Sequence, residues 1–295
     1  MTDHLAPARS RTFLSGPLLV LLASALWGTT GTAASFAPAG AGPLSIGAAT
    51  MGLGGLLLLA LAGRSAWRVL RSGRLGLLVV GAAAVAVYPL AFYSSMALAG
   101  VAIGTVVALG SAPVFAAVLE RVVDGVRLDA RWAVSAGLAV AGLLLITGRT
   151  GAGEDTVLGA LLGLLAGATY VVYSWSASRM MRRGHGSRAV MGAMFGAGAL
   201  VLLPVLAWTG GPLLGSPSGL AVAGYLAVVP MGLAYVLFGA GLRHTSTSTA
   251  TTLSLLEPVV AAVLGVLVVG ERLGVDGWCG AGLIGIGLVL VSTRR

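Results

Sequence analysis

Glu257 has the most chemistry to offer, because it is the only carboxyl or basic side chain near the middle of a long apolar run. A carboxylate in such a setting must face a partner or a wet cavity, since hydrocarbon cannot solvate it. Thr247, Thr251 and Ser254 precede it at steps that place their hydroxyls on the same helical face. Pro258 follows directly and is expected to kink the helix, since it lacks an N–H and crowds the carbonyl one turn back. Such a hydroxyl ladder ending in a carboxylate suits binding of a substrate amine or carriage of a coupling proton. The other reading is a protonated or hydrogen-bonded glutamate that ties its helix to a neighbour. The residues alone leave both open.

A second group is aromatic. Trp27, Tyr88, Tyr93, Tyr170 and Tyr235 fall within or near apolar runs, where their rings could line a cavity and stack on a planar or cationic solute. Pro89, Pro113 and Pro230 are further expected helix kinks. Trp67, Trp132, Trp208 and Trp278 lie near run ends and read as interfacial anchors. No metal is expected, because the single Cys279 and the scattered His4, His185 and His244 have no ligand spacing. No cofactor or enzymatic activity is expected either. Ser111 lacks a G-x-S-x-G elbow and a mid-run histidine, and no phosphate-binding G-x-x-x-x-G-K-[ST] loop occurs.

The elements that must position these residues follow from composition. The 295 residues are 57% hydrophobic and 9% charged, with a mean hydropathy of +0.99. A soluble domain carries roughly 25% charged residues, so a soluble enzyme, a nucleic-acid binder and a disordered chain are all excluded. The +9 net charge is not a nucleic-acid signal, because the arginines gather in short gaps between apolar runs.

Ten runs are long enough to read as membrane helices: 14–34, 44–63, 75–95, 100–120, 131–148, 156–178, 188–209, 218–240, 246–269 and 274–292. They are continuous and do not alternate, which excludes a barrel. With the N-terminus inside, every arginine except Arg149 and Arg272 falls on the inner side. This supports an inner-membrane protein with both termini cytoplasmic.

Sliding the chain by 145 residues superposes Pro113-Val114 on Pro258-Val259, Ala116–Leu119 on Ala261–Leu264, Gly125 on Gly270, and Arg127-Leu128 on Arg272-Leu273. Five helices per copy is an odd number, so the copies must be inverted, an arrangement typical of transporters. The expected halves are 1–148 and 156–295, joined by a polar linker, 149–155.

The chain resembles the EamA-type permeases of the drug/metabolite transporter superfamily. The resemblance rests on Trp27-Gly28 in the first run, Pro113 and Pro258 in the fourth and ninth, Glu271-Arg272-Leu273 after the ninth, and the glycine-rich last run. The first half departs from it, with Val126-Arg127-Leu128 where Glu-Arg-Leu is expected. The resemblance implies an all-α membrane fold of ten helices, a central cavity, and secondary transport or export of small metabolites. The expected partners are a small-molecule substrate, the lipid bilayer and, through Glu257, protons; no nucleic acid is expected. A membrane scaffold or sensor without transport activity is the alternative.

Overall fold

In a bilayer a backbone can satisfy its polar groups only within itself, and the computed structural model folds the apolar runs as helices. The structure describes residues 15–71, 75–127, 129–147, 155–270 and 274–292. Outside them lie Glu271-Arg272-Leu273, Leu128, most of the linker and several of the charge-placing arginines (Arg9, Arg11, Arg74, Arg149, Arg272, Arg294 and Arg295).

Among the described residues, eight helices are long and apolar enough to cross a membrane. They are α1 (Gly16–Ala34), α2 (Pro43–Ala62), α3 (Gly76–Ala99), α4 (Ile103–Val123), α6 (Thr156–Arg182), α7 (Ser187–Thr209), α8 (Pro217–Leu242) and α9 (Thr247–Val268). The remaining two expected spans form shorter apolar helices, α5 (Ala130–Leu145) and α10 (Val275–Val291). At 1.5 Å per residue, these two fall a little short of a ~30 Å hydrocarbon layer.

Close packing explains the small-residue stripes. Gly159, Gly163 and Gly167 of α6 lie against Ala99 and Ser95 of α3 and against Val107 and Ala108 of α4. A methyl group added at Gly159 would come within 2.6 Å of the Ala99 nitrogen. The helices are therefore in backbone contact, and dispersion rather than water exclusion holds them. Ser135 of α5 donates to the Gly287 carbonyl of α10, and these two helices pair along their length.

Four helices are irregular where the chemistry lies, α2 through a π-helical stretch at Ala49–Leu53. α1 is broken into Gly16–Trp27 and Thr30–Ala34. α8 contains a π-helical stretch, Ala227–Leu233, around Pro230. α9 breaks at Ser254-Leu255, between Thr247–Leu253 and Leu256–Leu264. Pro258 accounts for that break: its ring excludes the Ser254 carbonyl from a regular turn, and the Glu257 N–H takes that carbonyl at 3.0 Å instead. Pro89 and Pro113, by contrast, lie inside uninterrupted helices.

A carboxylate and aromatic cavity

The two broken helices meet. Gly28, at the break of α1, faces the Glu257 carbonyl and the Val260 side chain of α9, and a side chain there would come within 2.8 Å of that carbonyl oxygen. Only glycine lets the chains approach so closely. Tyr225 of α8 donates to the Thr29 hydroxyl at 2.9 Å and holds the α1 break from the other side.

Next to this junction lies a narrow cavity of about 50 Å³. Its walls include Trp27, Tyr88, Tyr93, Tyr170, Tyr235, Glu257, Pro89 and Pro230. These residues, scattered through the sequence, converge on one space. Thr30, Thr50, Met51, Phe92, Leu109, Tyr173 and Met231 complete the lining.

The ring ends are anchored. Trp27 Nε1 donates to the Pro230 carbonyl at 2.9 Å. The Tyr170 and Ser254 hydroxyls pair at 2.6 Å, and those of Tyr173 and Tyr235 at 2.8 Å. Tyr88 lies 6.0 Å from Tyr170 and 5.8 Å from Tyr173 between ring centres, and Trp27 lies 5.0 Å from Tyr235. Rings so tied are preorganised, which reduces the ordering cost of binding.

Glu257 is half-buried at this wall. Among the described residues, no group hydrogen bonds to or ion-pairs with its carboxylate. The Tyr88, Tyr93, Tyr170 and Tyr235 hydroxyls lie within its electrostatic reach.

The hydroxyl ladder behaves differently from expectation. Thr251 donates back to the Thr247 and Ser248 carbonyls, Ser254 donates to the Ala250 carbonyl, and the Thr247 hydroxyl is buried without a partner. Thr247 and Thr251 are not on the cavity wall. The Thr251 and Ser254 hydroxyls are turned to their own helix, as threonine and serine do wherever no better acceptor is at hand. Ser254 touches the site only through Tyr170. Pro113 and Pro258 are likewise absent from the lining.

Tyr235 also lines a second recess, of about 130 Å³, with Leu58, Ser187, Arg188 and Met191. Tyr235, paired with Tyr173 and backed by Phe195 with its ring 4.5 Å away, thus stands between two spaces.

Glu120 was not legible as a key residue. It is 2% exposed and reaches from the end of α4 to the start of α9, accepting from the Thr247 N–H at 2.6 Å and the Ser248 N–H at 3.3 Å. Trp132, expected at the interface, is buried instead, with Nε1 on the Ser248 carbonyl at 3.4 Å. Nearby, Asp124 is paired with Arg179 and Arg182 and accepts from Trp175 Nε1 at 2.8 Å. These two arginines therefore have protein partners as well as a place in the charge pattern.

Fold and site together define a multi-pass membrane protein with a small polar–aromatic cavity among its helices. Comparison with known proteins gives the family. The EamA-like transporter family matches residues 14–148 and again 157–293, and the chain belongs to that family. It is 34% identical over 275 residues to a Bacillus subtilis (strain 168) protein called uncharacterized transporter YwfM, covering 93% of each chain. It is 31% identical over 190 residues to a protein of Streptantibioticus cattleyicolor called a probable terminal-alkyne amino-acid exporter, covering 62% of this chain and 61% of that one. A crystal structure with 22% identity shares the fold, with a TM-score of 0.75 over 94% of this chain and 96% of the other.

Proposed function

We propose that this protein is a secondary transporter that exports small organic metabolites, amino acids or related solutes and drugs, across the inner membrane by alternating access. In this reading all ten helices span the bilayer. The halves 1–148 and 156–295 are inverted repeats joined by 149–155, and both termini are cytoplasmic. The single observation that carries the proposal is the cavity itself. Both halves contribute to it, through Trp27, Tyr88, Tyr93 and Leu109 from one and Tyr170, Tyr235 and Glu257 from the other. A site between two repeats is where a rocking motion can expose a solute to either side. Irregular backbone is tolerated at membrane depth where it lines such a cavity, which suits the breaks in α1 and α9. The family and the exporter name of one relative support the direction.

With the termini inside, Tyr235 closes the cavity on the cytoplasmic side, and the recess beside Arg188 is the cytoplasmic approach. A cavity of about 50 Å³ holds only a few water-sized bodies, so a solute enters as the walls part. Glu257 is the group placed to carry a coupling proton.

The test is a tolerance screen over metabolites, amino acids and drugs, with cells expressing the wild type or Glu257→Gln. Protection against one compound class that the variant loses is the expected result. If neither protein protects against or moves any solute, and a protein partner is bound instead, the chain is a scaffold or sensor.

A further inference from the structure

We infer that the cavity selects an organic monocation that carries no carboxylate: an amine or quaternary ammonium rather than an amino acid. This rests on the transporter reading above and narrows its substrate class.

Charge carries the inference furthest. Among the described residues, the lining contains one carboxylate, Glu257, and no arginine or histidine. Arg188 lines the neighbouring recess, which shares Tyr235 with the cavity. An ammonium entering the cavity meets a carboxylate with open acceptor positions. A carboxylate entering on the same solute meets only aromatic, apolar and hydroxyl groups, next to a like charge. Burying an unpaired anion at membrane depth is strongly unfavourable, so a zwitterion is rejected by the charge it brings along.

The rings supply the second part. Trp27, Tyr88, Tyr93, Tyr170, Tyr173 and Tyr235 share the cavity wall with Glu257. Polar tips are occupied by protein partners: Trp27 by the Pro230 carbonyl, Tyr170 by Ser254, and Tyr173 and Tyr235 by each other. Occupied tips leave the π systems as the remaining attraction, and ring faces favour cations, quaternary ammonium groups in particular. A carboxylate that served only to tie helices together would have a donor from a neighbouring helix. Glu257 has none among the described residues.

The experiment uses purified full-length protein in liposomes, loaded with labelled solutes in matched pairs: choline against glycine betaine, and phenethylamine against phenylalanine. Each pair shares its cationic or aromatic portion and differs in the carboxylate. Rates are read above those of protein-free vesicles. The expected result is export of at least one cation at least tenfold faster than its zwitterionic partner, lost in Glu257→Gln and partly retained in Glu257→Asp. Thermal stabilisation of the detergent-solubilised protein by choline or phenethylamine, but not by their partners, gives a second readout that needs no flux. Equal or faster export of the zwitterions overturns the cation inference and leaves the transporter standing. Cation export that survives in a folded Glu257→Gln overturns it as well. Failure of all four probes and of a broad metabolite panel overturns the transporter reading together with this one.

Discussion

Glu120 and Glu257 are the same residue type set in apolar helices, and their surroundings differ in one decisive respect. Each carboxylate oxygen of Glu120 accepts from one of the first N–H groups of α9. A helix start leaves N–H groups without intrahelical partners, and a carboxylate there satisfies them while meeting the positive end of the dipole. Glu257 sits in the first turn after the break of that same helix and has no donor among the described residues. The comparison separates a carboxylate that holds the structure from one that waits for a ligand. Residue type and hydropathy do not distinguish them; the count of hydrogen-bond partners does.

The sharpest way to break the comparison is through stability. Glu120→Ala orphans two buried backbone N–H groups, each worth about 1–3 kcal/mol. A loss of about 2–4 kcal/mol is expected, visible as a large drop in the thermal midpoint of the protein in detergent. Glu120→Gln should recover part of it, because an amide oxygen still accepts one bond. A Glu120→Ala protein as stable as wild type would remove the structural half of the comparison.

Asp124→Asn should have a smaller effect. It weakens the pairing with Arg179 and Arg182 but can keep an acceptor for Trp175, so a loss of about 1 kcal/mol is expected by the same measurement. The smallest effect is expected at Ser254→Ala, which removes one hydroxyl pair with Tyr170, worth about 0.5–1.5 kcal/mol. Its informative readout is transport: a modest rise in apparent KM, with no change in the sensitivity of transport to Glu257 substitution, is expected if Ser254 only steadies the Tyr170 ring.

The same comparison shows what could be read from residues alone. Glu257 and the rings of Trp27, Tyr88, Tyr93, Tyr170 and Tyr235 were legible because a lone charge or a polar-tipped ring inside an apolar run is conspicuous, and the cavity gathers all of them. The ladder of Thr247 and Thr251 had the right spacing for a shared face, yet spacing cannot tell whether a hydroxyl points to a cavity or turns back to its own carbonyls. Glu120 was hidden for a different reason. It lies near the end of a run, where a charge is unremarkable, and its partners are backbone N–H groups 127 residues away. Tyr173, Thr50 and Phe92 were missed because the phase of a helix against its neighbours is set by packing, including the glycine contacts of α6, and not by its own periodicity. The break of α9 was expected at Pro258 and falls one turn earlier, where the proline ring excludes the carbonyl.

The most direct measurement follows Glu257→Gln in two readouts on one preparation: thermal unfolding in detergent and solute export from liposomes. The expected result is an unfolding midpoint unchanged or slightly raised, since no partner among the described residues is lost and a half-buried charge is removed, with export reduced at least about thirtyfold, corresponding to about 2 kcal/mol. A destabilised protein, or a stable one that exports as fast as wild type, would contradict the assignment of Glu257 as the ligand-facing carboxylate.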